Sequence, residues 1–156
     1  MKKIAAIMVI IYIVALCGCS NTNQQEALCK YSKTTEDEFS NNSLTIYYLP
    51  FSAYTVCPLS KNGLVSHSMI QKIYIDHDEL SLHLEELKKL DLSIITPVEE
   101  EGRVNARLYY QLFLDNGKYL DVVISAPGAN MIVNGMEVEY NSVFYDAVLP
   151  FLPKTD

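Results

Sequence analysis

Residues 104–125 read Val-Asn-Ala-Arg-Leu-Tyr-Tyr-Gln-Leu-Phe-Leu-Asp-Asn-Gly-Lys-Tyr-Leu-Asp-Val-Val-Ile-Ser. Two β-branched and aromatic runs, 104–114 and 118–125, flank Asp115-Asn116-Gly117, the composition of a hairpin turn. The turn length decides the register. A two-residue Asn116-Gly117 loop sets Leu112 opposite Asp121 and mixes polar with apolar side chains on one face. A three-residue loop with Gly117 left-handed pairs Leu108 with Ile124, Tyr110 with Val122 and Leu112 with Leu120. One face is then wholly apolar, which is what burial requires. The other face carries Arg107, Tyr109, Gln111 and Asp121. We therefore expect the three-residue loop.

Downstream, Ala126-Pro127-Gly128 makes a turn, and Asn134-Gly135 reads as a two-residue type I′ loop. That loop pairs Val133 with Met136 and Met131 with Val138 on one face, and Ile132 with Glu137 on the other. Phe144, Ala147, Val148 and Phe151 then recur at helical spacing, with Asn141 or Ser142 as the cap and Pro150 as the stop or kink. This apolar stripe needs a sheet to lie on.

Upstream, Leu44-Thr45-Ile46-Tyr47-Tyr48-Leu49 reads as a strand stopped by Pro50. Residues 54–57 are a candidate partner for it, before Pro58 and the Lys61-Asn62-Gly63 turn. Residues 69–75 read as a strand, with a short helix as the competing assignment; Ile73 and Ile75 share one side. Asp76 followed by Glu79 resembles a capping box, and a helix is expected from there to about Lys89, with Leu80, Leu84 and Leu87 as its core stripe. Residues 92–96 fit a short strand ended by Pro97, and Glu99-Glu100-Glu101-Gly102 an exposed turn. The fold class expected is α+β: a curled antiparallel sheet of five to six strands with two helices on one face. Residues 44–156 make a single domain.

The charge balance excludes some functions. The chain has a formal charge of −7, which argues against nucleic acid, a partner that wants clustered Lys and Arg. The N-terminus explains part of the basic content. Lys2 and Lys3 precede an uncharged apolar run, 4–16, that is short for a membrane span of ~20 residues and fits a signal segment. It ends in Leu16-Cys17-Gly18-Cys19, which resembles the lipobox of bacterial lipoproteins; Cys17 departs from the more familiar Ala or Ser.

That resemblance implies a signal peptide over 1–18, cut by signal peptidase II. It implies a lipidated Cys19 at the new N-terminus, and a protein anchored to the cell membrane on its extracytoplasmic side. A diacylglyceryl group gives stable anchoring where one acyl chain does not. Cleavage removes two lysines and no acid, so −7 becomes −9, and the body is repelled by anionic lipid. Residues 19–43, polar after the cysteine, read as a flexible tether. The two hairpins followed by a short apolar helix resemble small uncharacterised lipoproteins of Gram-positive bacteria, a likeness that implies no activity.

In an oxidising compartment Cys29 and Cys57 are candidates for a disulfide, worth about 3 kcal/mol on the loop-entropy model; two free thiols are the alternative. Ser60, Ser66 and Ser68 lie near His67, but no nucleophile elbow is present. Glu79 and His83, one helical turn apart, with Asp76 nearby, form a weak metal set that lacks a visible fourth ligand, and Asp76 is wanted as the cap. No cofactor is expected. Arg107, Tyr109, Gln111 and Asp121 make a polar and aromatic set on what the register presents as an outward sheet face. Phe113 and Tyr119 on the same side would strengthen it as a binding surface, since interfaces favour Tyr and Arg. The function expected is a membrane-anchored, non-enzymatic envelope lipoprotein. Its partners would be the lipid bilayer through Cys19 and an envelope protein or other envelope component. The alternative is a small-ligand or metal-binding sensor.

Overall fold

Alternation of period two assigns each strand side chain to one face or the other, and six segments form strands. They are β1 (Ser43–Tyr48), β2 (Gln71–Ile75), β3 (Leu108–Phe113), β4 (Tyr119–Ile124), β5 (Met131–Val133) and β6 (Met136–Val138). The computed structural model describes residues 42–99, 102–114, 117 and 119–154. The strands form one antiparallel sheet in the order β2-β1-β3-β4-β5-β6. The expected α+β class and strand number are what the structure holds.

The central hairpin has the expected register, with Leu108 opposite Ile124, Tyr110 opposite Val122 and Leu112 opposite Leu120. Gly117 closes its turn at φ +72°, and its N–H donates to the Leu114 carbonyl at 3.0 Å. The second hairpin pairs Met131 with Val138 and Val133 with Met136. Asn134 and Gly135 both have positive φ, +49° and +86°, as a type I′ loop requires. Between the hairpins, the Ala129 N–H donates to the Ala126 carbonyl across Pro127 and Gly128.

Leu44, Ile46, Tyr48, Leu108, Tyr110, Leu112, Leu120, Val122, Ile124, Met131, Val133 and Val138 are buried and, by register, line one face. Helix α4 (Ser142–Asp146) and the 3-10 turn Leu149–Phe151 cover this face. Asn141 caps α4 by accepting from the Val143 N–H, and Pro150 sits where the helix gives way to the tighter turn. The Tyr110 hydroxyl donates to the Phe144 carbonyl at 3.0 Å, which seats α4 on the sheet.

Three local expectations are corrected. The strand paired with β1 is 71–75 and not 54–57. Ile73 and Ile75 supply apolar side chains opposite Ile46 and Leu44, whereas Tyr54 and Val56 stay exposed. The single helix expected from Asp76 to Lys89 is instead two short pieces, α2 (His77–Ser81) and α3 (Leu84–Leu87). Its start is as expected, with the Asp76 carboxylate accepting from the Glu79 N–H at 3.1 Å. The break comes at Leu82 and His83, whose N–H groups bond three residues back, to Glu79 and Leu80. That tightening swings the His83 ring edge-on to Phe151, with centroids 4.9 Å apart. Packing there overrides helix propensity, and Leu80 and Leu87 remain buried. Residues 92–94 form a 3-10 turn, not a strand. The chain then runs beside β6, where the Glu139 N–H donates to the Thr96 carbonyl and Pro97 bridges Val138. Glu99 is exposed; Glu100 and Glu101 of the expected turn lie outside the described residues.

The two helices were expected on one face. The segment α2–α3 and helix α4 share the main core face, but a further helix, α1 (Lys61–Val65), covers the opposite one. That second layer positions the site.

Candidate functional site

Alternation puts Tyr109, Gln111 and Phe113 of β3, with Arg107 just before the strand, on the second face, beside Tyr119, Asp121 and Val123 of β4. On β1 their neighbours are Tyr47, across from Tyr109, and Thr45, across from Gln111. On β2 they are Lys72, across from Tyr47, and Tyr74, across from Thr45.

Asp121 is the hub of this face. Its Oδ2 accepts from the Tyr109 hydroxyl at 2.9 Å and from Lys61 Nζ at 3.2 Å, with Gln111 Nε2 at 3.5 Å. Its backbone is locked to Asn134: the Asp121 N–H donates to Asn134 Oδ1 at 2.9 Å, and the Asn134 N–H returns to the Asp121 carbonyl at 2.8 Å. Burial, and then the bond to the Asp121 carboxylate, push the Tyr109 hydroxyl well above the ordinary phenol pKa, so it stays protonated and donates. Lys61 Nζ also lies 5.1 Å from the centre of the Tyr109 ring. The Tyr47 ring stacks on Tyr109 with centroids 5.5 Å apart, and Lys72 Nζ lies over Tyr47. The result is a continuous ladder of lysine, tyrosine, tyrosine and lysine across three strands and α1.

The structure thus brings Tyr109, Gln111 and Asp121 together, as the hairpin register implied, but it does not leave the whole set outward. Arg107, Tyr109 and Asp121 are buried. The reason is the path of the chain after β1, which turns back over this face. The Leu49 N–H donates to the Arg107 carbonyl, the Leu59 N–H to Asn105 Oδ1, and the Ala106 N–H to the Leu59 carbonyl. Ser60 then caps α1 by accepting from the Gly63 N–H. Leu64 of α1 completes a cluster with Leu49, Ala106, Tyr109 and Val123, flanked by Leu59 and Val65. The expectation of a wholly exposed patch is corrected on that physical ground. Lys61 belongs to the site and was not expected from sequence; it lies 60 residues from its carboxylate partner.

The cover stops short of the hairpin tip. Phe113, Tyr119 and Tyr74 are 41%, 53% and 65% exposed. Phe113 and Tyr119 are register partners with ring centroids 6.3 Å apart. Thr45 and Gln111, both half-buried, fill the surface between them and Tyr74. Aromatic rings spaced by short polar side chains make a face that can bury apolar area and still satisfy hydrogen bonds at its centre.

The remaining candidates are accounted for individually. Cys19 and Cys29 lie outside the described residues, and Cys57 is an exposed free thiol. The metal set is not assembled. Asp76 is committed to its cap, Glu79 is exposed, and His83 faces the Phe151 ring. No group of three or more His, Cys, Asp or Glu able to hold a metal ion occurs among the described residues. No protein-family model, curated protein or solved structure matches this chain.

Proposed function

We propose that this protein is a lipid-anchored, extracytoplasmic binding module. Cys19 holds it to the membrane, and the uncovered end of the second sheet face engages an envelope protein. The observation that carries the binding half is the placement of Phe113, Tyr119 and Tyr74 on one face of four adjacent strands, left bare where α1 ends its cover. Large aromatic side chains on a rigid sheet lose little entropy on binding and supply much of the energy of an interface. The hub at Asp121 gives that face its rigidity by fixing α1 and Asn134 to the same strand. The lipobox-like stretch supports the anchoring half. The acidic body suits a domain held off the lipid surface by a polar tether.

The test compares capture of a crosslinked partner from intact cells by the native chain and by a Phe113→Ala, Tyr119→Ala double variant. Both rings are well exposed, so the variant is expected to keep its melting temperature within a few degrees. Partner yield is expected to fall at least tenfold. Cys19→Ser is the control for the anchor and is expected to release the protein from the membrane fraction. Undiminished capture by the double variant would remove this face from the reading.

A further inference from the structure

The end of β3 opposite Phe113 holds an unpaired charge. Arg107 is only 8% exposed. Its Nη2 donates to Thr55 Oγ1 at 2.9 Å, and its buried Nη1 has no hydrogen-bond partner among the described residues. A buried cation ordinarily has a carboxylate beside it, because the cost of taking a charge out of water is large. Lysine could shed its proton in such a place; a guanidinium cannot. The two buried carboxylates among the described residues are engaged elsewhere. Asp121 binds Tyr109 and Lys61, and Glu137 accepts from the Gly102 N–H at 2.8 Å and from Asn130 Nδ2 at 3.1 Å. In a chain of formal charge −7, acids are abundant, yet the one buried guanidinium has only a neutral hydroxyl.

We propose that Arg107 and Thr55 form an anion site, which receives a single oxyanion group, carboxylate or phosphate, of a ligand. Arg107 supplies the charge and two donor nitrogens in the planar geometry that suits either group. Thr55 Oγ1 already accepts from Nη2 and keeps its own proton to donate. The segment between β1 and α1 roofs the site through Thr55, so a ligand reaches Arg107 only if that segment shifts. Thr55 turns inward from it while Tyr54 and Val56 on either side are 85% and 89% exposed. Phe113 is six positions along the strand from Arg107, about 20 Å, so the site is distinct from the aromatic patch at the other end of this face.

Thermal unfolding of the full chain in detergent tests this, with inorganic phosphate and acetate as probes titrated against chloride at constant ionic strength. The native chain is expected to show a melting temperature that climbs with the logarithm of probe concentration. A rise with phosphate alone assigns a phosphate ester, and a rise with acetate assigns a carboxylate. Arg107→Met is expected to melt no lower than the native chain without probe, because an uncompensated buried charge has been removed, and to lose the response to probe. Thr55→Val keeps the charge and is expected to weaken the response several-fold, which covers the case in which the Met variant does not fold. A native chain indifferent to both anions, or variants that respond as strongly as it does, would overturn the proposal.

Discussion

Tyr110→Ala is expected to destabilise the protein by about 3–5 kcal/mol, the range for removing a fully buried large aromatic side chain. Tyr110 is wholly buried at the centre of the sheet, opposite Ile46 on one side and Val122 on the other. Its hydroxyl donates to the Phe144 carbonyl and ties α4 to β3. The substitution opens a cavity and also leaves that carbonyl without its tyrosine donor. Helix α4 spans five residues, too few to persist without the sheet beneath it. With a domain stability of roughly 5–15 kcal/mol, the loss would unfold a substantial fraction of the protein at 37 °C if its stability lies at the low end of that range. Tyr110→Phe keeps the ring and removes only the hydrogen bond, so about 1–2 kcal/mol is expected. Urea unfolding followed by circular dichroism measures both. A loss below about 1 kcal/mol for Tyr110→Ala would mean that α4 does not depend on this contact.

Asp121→Ala is expected to cost about 3 kcal/mol, and for a different reason. The side chain fills little volume but takes hydrogen bonds from Tyr109, Lys61 and Gln111 on one oxygen. Removing it leaves the buried Tyr109 hydroxyl unsatisfied, at about 1–3 kcal/mol, and removes charge-assisted bonds of similar size. Asp121→Asn keeps an acceptor and is expected to cost less. Lys61→Met isolates the ion pair. The Lys61 side chain is 43% exposed, so solvent screening holds its contribution to about 1 kcal/mol or less. The same unfolding series gives the ordering Ala, then Asn, then the Lys61 variant. An Asp121→Ala variant as stable as the native chain would mean that the second face is not held by this hub. It follows that Tyr109 is a poor probe of binding, since truncating it disturbs the cover as well as the surface.

What was legible in the sequence is what neighbours decide. The registers of both hairpins follow from Gly117, from the Asn134-Gly135 pair and from the demand for one apolar face. The caps at Asp76 and Asn141 follow from short side chains that reach backbone N–H groups two or three residues ahead. The second layer was not legible. A strand face carrying Arg107, Tyr109 and Asp121 has the same pattern whether water or α1 lies on it. The contacts that choose between them join Lys61 to Asp121 and Thr55 to Arg107, 60 and 52 residues apart. Likewise 54–57 reads as the partner for β1, and 69–75 as a strand or short helix with no partner assigned. The choice fell to the segment whose apolar side chains meet Ile46 and Leu44, freeing the other to cross the second face. The helix after Asp76 is interrupted where His83 packs on Phe151, a long-range contact that helical periodicity cannot foretell.

The most direct measurement is photocrosslinking on intact cells, with a photoreactive phenylalanine analogue placed in turn at Phe113, Tyr119 and Leu82. Leu82 is more open to solvent than either but sits in the helical layer between α2 and α3. A binding face at the bare end of the sheet predicts one discrete adduct, shared by positions 113 and 119 and absent at 82. An adduct from 82 alone, or the same mixture from all three, would contradict it.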